Sequence, residues 1–177
     1  ELAAAGAAAG HLAIGSFASR APARTLALSG CLAAGTAVAS LAGLAVTGAS
    51  PATIPLILLA LTGTVATAAM AFARRYMAGE PTLSRFSRHL VWLAAMLTAG
   101  AGTDSIALFI AAWFGASRVV VHLVRHDPQD PASTRAAACC GRRFLIGDTL
   151  FAGGLLMVIV GTGATTFSGL TAAVTAP

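Results

Sequence analysis

The chain has 177 residues, of which 57% are hydrophobic and only 10% charged, with a mean hydropathy of +0.83. An ordinary soluble domain carries roughly 25% charged residues, so this composition excludes a water-soluble fold and points to a membrane chain. The net charge of +5 comes from eleven Arg and no Lys, and in so apolar a chain it reports membrane topology rather than nucleic-acid binding.

A hydrocarbon core about 30 Å thick needs roughly 20 apolar residues per helical crossing. Apolar runs fall at Leu2–Ser19, Leu26–Gly48, Ile54–Ala73, His89–Gly102, Ser105–Val124 and Phe144–Phe167. They predict an all-α, polytopic transmembrane helix bundle of about six spans, with residues 1–177 as one transmembrane domain. The first run, nearly all Ala and Gly with His11 inside, and the short fourth run suit a tilted or partly interfacial helix. The chain opens on Glu1 without an initiator Met or a basic n-region, which predicts a fragment or processed product of a longer protein rather than a signal peptide.

The connections alternate in charge. Arg20 and Arg24 lie between the first two spans, Arg74, Arg75, Arg85 and Arg88 between the third and fourth, and Arg125, Arg135, Arg142 and Arg143 between the fifth and sixth. The connections "TGASPAT" and "GAGTD" contain no Arg. The positive-inside rule then places the Arg-rich turns in the cytoplasm and both chain ends outside. Gly6 with Gly10 and Gly153 with Gly154 are read as ordinary close helix packing. Tyr76 and Trp92 fit an interfacial aromatic belt, with His89 interfacial beside them. In "RHDPQDPASTR", an exposed loop, Ser133 or Thr134 is placed to cap a helix leading into "AAACCGRRF".

Only Arg118 among the eleven Arg falls inside a span. It lies six residues from Val124, about 9 Å deep at 1.5 Å per residue, and Asp148 lies at a similar depth in the next, antiparallel span. Pairing lowers the cost of a charge in lipid, so an Arg118–Asp148 ion pair is expected, with His122 one turn toward the cytoplasm as a group that changes charge near neutral pH. The alternative reading has Arg118 snorkelling to the headgroups and Asp148 at the membrane surface. Asp104 in "TDS" reads as the N-cap of the fifth span, against an ion-access role at the outer face. Cys31, Cys139 and Cys140 lack CxxC spacing and read as reduced thiols. His122, His126, Cys139 and Cys140 have zinc-type donors, but adjacent cysteines make a poor ligand pair, so no metal and no cofactor is expected. No phosphate loop, nucleophile elbow or HExxH motif is present.

Two segments carry a likeness to a known family. "ARRYMAGEPTLSRF" holds Tyr76, Met77, Gly79, Glu80 and Pro81 followed by Arg85 and Phe86, and "TDSIALFIAAWFGAS" sets Asp104 in a short turn before an apolar helix with Ala112 and Trp113. With the early "FASRAPART", this pattern resembles the N-terminal part of the antiporter-like, proton-conducting family that includes NADH-quinone oxidoreductase subunit L and the Mrp antiporter subunits. Those members place a proton-channel Glu directly after the Trp, where this chain has Phe114. The loss of that Glu, the later His in "VVVHLV" and the run "RRFLIGD" are most like the DabB-type subunit of bacterial inorganic carbon uptake.

The resemblance implies a proton-conducting subunit in the bacterial inner membrane, with a large zinc-containing partner docking on the cytoplasmic Arg-rich turns and energised uptake of bicarbonate or CO2. A respiratory or Mrp-type proton or cation translocator among other membrane subunits is the second reading. A non-conducting membrane scaffold is the third.

Overall fold

The computed structural model describes residues 1–47 and 53–175. Its described residues form seven helices: α1 (Leu2–Ser16), α2 (Pro22–Thr47), α3 (Thr53–Tyr76), α4 (Leu83–Ala101), α5 (Ile106–Val124), α6 (Pro131–Thr162) and α7 (Phe167–Thr175). The end of the second expected span and most of the "TGASPAT" connection lie outside the described residues. The chain is an all-α helical bundle of membrane type, and α2, α3, α5 and α6 are each long and apolar enough to cross a bilayer. By contrast, α1 has only 15 residues, and the first two turns of α4 are diluted by Ser84, Arg85, Ser87, Arg88 and His89.

Small residues set the helix spacing. A Cβ on Gly63 of α3 would lie 2.6 Å from the Ala33 carbonyl oxygen of α2, and one on Gly102 would overlap the Ala4 Cβ of α1. Gly15 similarly admits the Trp92 ring, and Gly115 admits the Met96 sulfur. Such close approach supplies the packing that apolar burial cannot drive in lipid. Of the glycines singled out in the sequence, Gly10 abuts Leu32, whereas a Cβ on Gly6, Gly153 or Gly154 would meet no neighbour within 4 Å. Trp92 packs between α1 and α4, with the Arg88 guanidinium 5.7 Å from its ring centre.

Contacts such as Ala4 with Gly102, His11 with Ser29, Ala33 with Gly63 and His89 with His122 show neighbouring helices running antiparallel. The three Arg-rich turns therefore gather at one end of the bundle. Helix α4 packs on α1, α2, α3 and α5, and Leu26, Met70, Ala73, Val91 and Ala94 form the core between α2, α3 and α4. Helix α6 lies outside this core against α5, with only Ser133, Ala137 and Asp148 buried along its length.

The expected sixth span differs most from the structure. Helix α6 begins at Pro131, well before the expected start at Phe144, and runs unbroken for 32 residues. Asp130, not Ser133 or Thr134, is its N-cap, accepting hydrogen bonds from the amides of Ala132 and Ser133, with Pro131 pre-set in the first turn. Ser133 instead donates to the Val124 carbonyl at the end of α5. Arg135, Arg142 and Arg143 carry charge but no backbone signal that stops a helix, so the Arg-rich segment continues helical. Gly163 ends α6 with a left-handed φ of 71°, and Phe167 opens a separate helix.

Candidate functional site

Asp148 is 3% exposed, and its two oxygens sit in different surroundings. Oδ1 accepts from the Trp113 indole N–H at 2.9 Å and from the Ser117 hydroxyl at 3.1 Å. Trp113 and Ser117 are four residues apart, so one face of α5 presents both donors to one carboxylate on α6. Oδ2 is buried with no hydrogen bond, and Arg118 Nη2 stands 3.9 Å from it. That spacing gives a charge contact without a hydrogen bond, and the Arg118 side chain is 46% exposed. The two charges thus meet, but Asp148 is held by Trp113 and Ser117 rather than by the guanidinium.

His122 is one turn from Arg118, and its ring stacks on His89 of α4, with centroids 5.2 Å apart and planes 9° from parallel. His89 is nine-tenths buried, and its Nδ1 has no hydrogen-bond partner among the described residues. Beyond the end of α5, His126 lines an open cavity at the Arg-rich end, shared with Glu80, Arg85 and Asp127. Arg118 and His122 share one face of α5 at four-residue spacing, and His126 in the bend beyond the helix lines this cavity.

Asp104 lies at the opposite end and does not cap α5. Ser105 is that N-cap, accepting from the Leu108 amide. The Asp104 carboxylate binds Ser168 at the start of α7 through both its amide and its hydroxyl, while the Asp104 carbonyl accepts from Phe167. The Glu1 carboxylate in turn accepts from the Asp104 amide at 2.7 Å. The Ser168 hydroxyl, followed by its amide, holds the Asp104 carboxyl below its ordinary pKa. Asp104 therefore joins α5 to α7, a role the sequence hides because its partner lies 64 residues away.

Among the described residues, no three His, Cys, Asp or Glu side chains come together as metal ligands. The cysteines are free thiols. Trp113, Ser117 and His89 are the site residues that sequence reasoning missed. The signal for the first two is a donor pair at i, i+4 facing the span that carries the lone intramembrane Asp. Buried His11, hydrogen-bonded to Ser29 across α1 and α2, lies outside this site. No protein-family model, curated protein or solved structure matches the chain.

Proposed function

We propose that the chain is a proton-conducting membrane subunit in which Asp148 takes up and releases the proton. The observation that carries the proposal is the asymmetric carboxylate. A buried Asp with one hydrogen-bonded oxygen and one bare oxygen has a lone pair free for a proton without giving up Trp113 or Ser117. Arg118 Nη2 stands beside the bare oxygen at 3.9 Å without a hydrogen bond. His122 and His126 extend the path toward the cavity at the Arg-rich end, which the Arg distribution orients to the cytoplasm.

The likeness to the antiporter-like family bears on this reading at one position. That family carries its channel carboxylate at the place of Phe114, directly after Trp113. Here the carboxylate comes from α6 and bonds the residue immediately before that place. A bacterial inner-membrane subunit with its Arg-rich turns against a large cytoplasmic partner, driving inorganic carbon uptake, is the form of the proposal most like "RRFLIGD" and "VVVHLV".

The test is proton flux into proteoliposomes under an imposed pH gradient, using the full chain with the subunits that copurify with it. Asp148→Asn removes the titratable group while keeping an oxygen that accepts from Trp113 and Ser117. Loss of flux in this variant with its fold intact is expected. Equal flux in the variant removes Asp148 from the path, and absence of flux in the parent favours a scaffold.

A further inference from the structure

Asp148 separates two unlike halves of the α5–α6 seam. Toward the Arg-rich end come Ser117, Arg118, His122 and His126. Toward the Asp104 end come Trp113 and Phe109 of α5, Phe151 of α6 and Phe167 of α7. Their ring centres form a continuous set: Trp113 to Phe151 at 5.1 Å, Phe109 to Phe167 at 5.4 Å, and Phe109 to Trp113 and to Phe151 each at 6.1 Å. Residues 106–113, 149–162 and 167–175 include no titratable side chain.

Proton transfer needs a chain of groups that both accept and donate. Phenyl rings do neither, and indole N–H is a donor only, here committed to Asp148 Oδ1. Trp113 can therefore hold the carboxylate but cannot pass its proton onward. Trp113 is 44% exposed, but α5 is long and apolar enough to cross a membrane, and a surface turned to hydrocarbon offers a proton no partner.

We infer that Trp113 is the latch of a closed outer barrier, pinning Asp148 through its N–H and sealing the seam with Phe109, Phe151 and Phe167, so that in this conformation Asp148 exchanges protons with the Arg-rich face alone and passage to the other face requires the latch to open. The inference rests on Asp148 being the proton-bearing group. The charged groups around it are Arg118 and His122 on α5, His89 of α4 stacked on that histidine with Arg88 beside it, and Arg142 and Arg143 along α6; α7 brings none. Protonating Asp148 converts a charge-assisted bond from the indole into a neutral one of roughly half the strength. The indole thus reports the proton.

The chain has two Trp, so Trp92→Phe leaves Trp113 as the sole indole reporter. The full chain with this change is reconstituted in liposomes, its orientation read by impermeant maleimide on Cys139 in a background without Cys31 and Cys140. The pH is then jumped on one face at a time while Trp113 emission is followed. A response to the Arg-rich face only, abolished by Asp148→Asn, is expected. Phe151→Ala, or Phe109→Ala if the first variant does not insert, should make the emission respond from both faces.

A response from the Asp104 face in the parent, a response surviving in Asp148→Asn, or unchanged sidedness in an inserted Phe→Ala variant overturns the latch. No response from either face overturns both the latch and Asp148 as the proton-bearing group. A one-sided response without proton flux leaves the latch standing and removes conduction, so the two failures are distinct.

Discussion

Replacing Asp148 tests whether hydrogen bonding or charge holds α5 to α6. Asp148→Ala deprives Trp113 Nε1 and Ser117 Oγ of their acceptor and leaves Arg118 without its 3.9 Å counter-charge. Inter-helix hydrogen bonds in membrane proteins average about 0.6 kcal/mol and reach about 1.7 kcal/mol, so losing two costs about 1 to 3 kcal/mol. Asp148→Asn keeps an oxygen for both donors and loses only the charge contact. With Arg118 half exposed and no hydrogen bond between the pair, that contact is worth under about 1 kcal/mol. Arg118→Ala should fall in the same small range, because Asp148 keeps both donors and can take a proton. Equilibrium unfolding in bicelles, by steric trapping or denaturant, ranks the three. The expected order has Asp148→Ala clearly worst, with Asp148→Asn and Arg118→Ala close to the parent. Asp148→Asn as damaging as Asp148→Ala would refute the reasoning and show that charge, not hydrogen bonding, holds the two helices together.

Gly63→Leu should separate α2 from α3, since its Cβ position is already 2.6 Å from the Ala33 carbonyl; an overpacking cost of about 1 to 3 kcal/mol is expected in the same unfolding assay, whereas Gly153→Leu should be close to neutral. His11 and Ser29 should show a double-mutant coupling near about 0.6 kcal/mol, measured with His11→Leu, Ser29→Ala and the double variant; zero coupling contradicts the buried bond. The depressed pKa of Asp104 means that its ionised carboxylate stabilises the α5–α7 junction above the unfolded Asp pKa, a contribution lost as pH falls through the lower folded value. Hydrogen exchange at Phe167 and Ser168, corrected for intrinsic rate, should therefore lose protection at acid pH in the parent, and Ser168→Ala, which keeps the amide bond but not the hydroxyl's, should already have lost part of it at neutral pH.

Much of the bundle is legible in the apolar runs and in the Arg parity, because hydrocarbon length and headgroup charge act directly on sequence. The start of α6 is only partly legible, since a helix is expected over this segment but its three Arg hide that it runs on into the sixth span. "DPAS" already contains the Asp cap and first-turn Pro that begin it. The GxxxG at Gly6 and Gly10 is half informative, as only Gly10 meets a neighbour, while the tight contacts at Gly63 and Gly102 have no motif. Arg118 opposite Asp148 could be anticipated from equal depth on consecutive spans. Which donors hold the carboxylate could not, because helix rotation decides whether Trp113 and Ser117 or Arg118 faces α6. His89 under His122 and Ser168 on Asp104 depend on that same three-dimensional arrangement.

The central claim is that Asp148 takes and releases a proton within the bilayer, and infrared titration of the full chain in liposomes tests it most directly. The carboxylic acid carbonyl band of the parent, after subtraction of the Asp148→Asn spectrum, should grow as pH falls and vanish as it rises. A difference spectrum without that band at any pH would contradict the account.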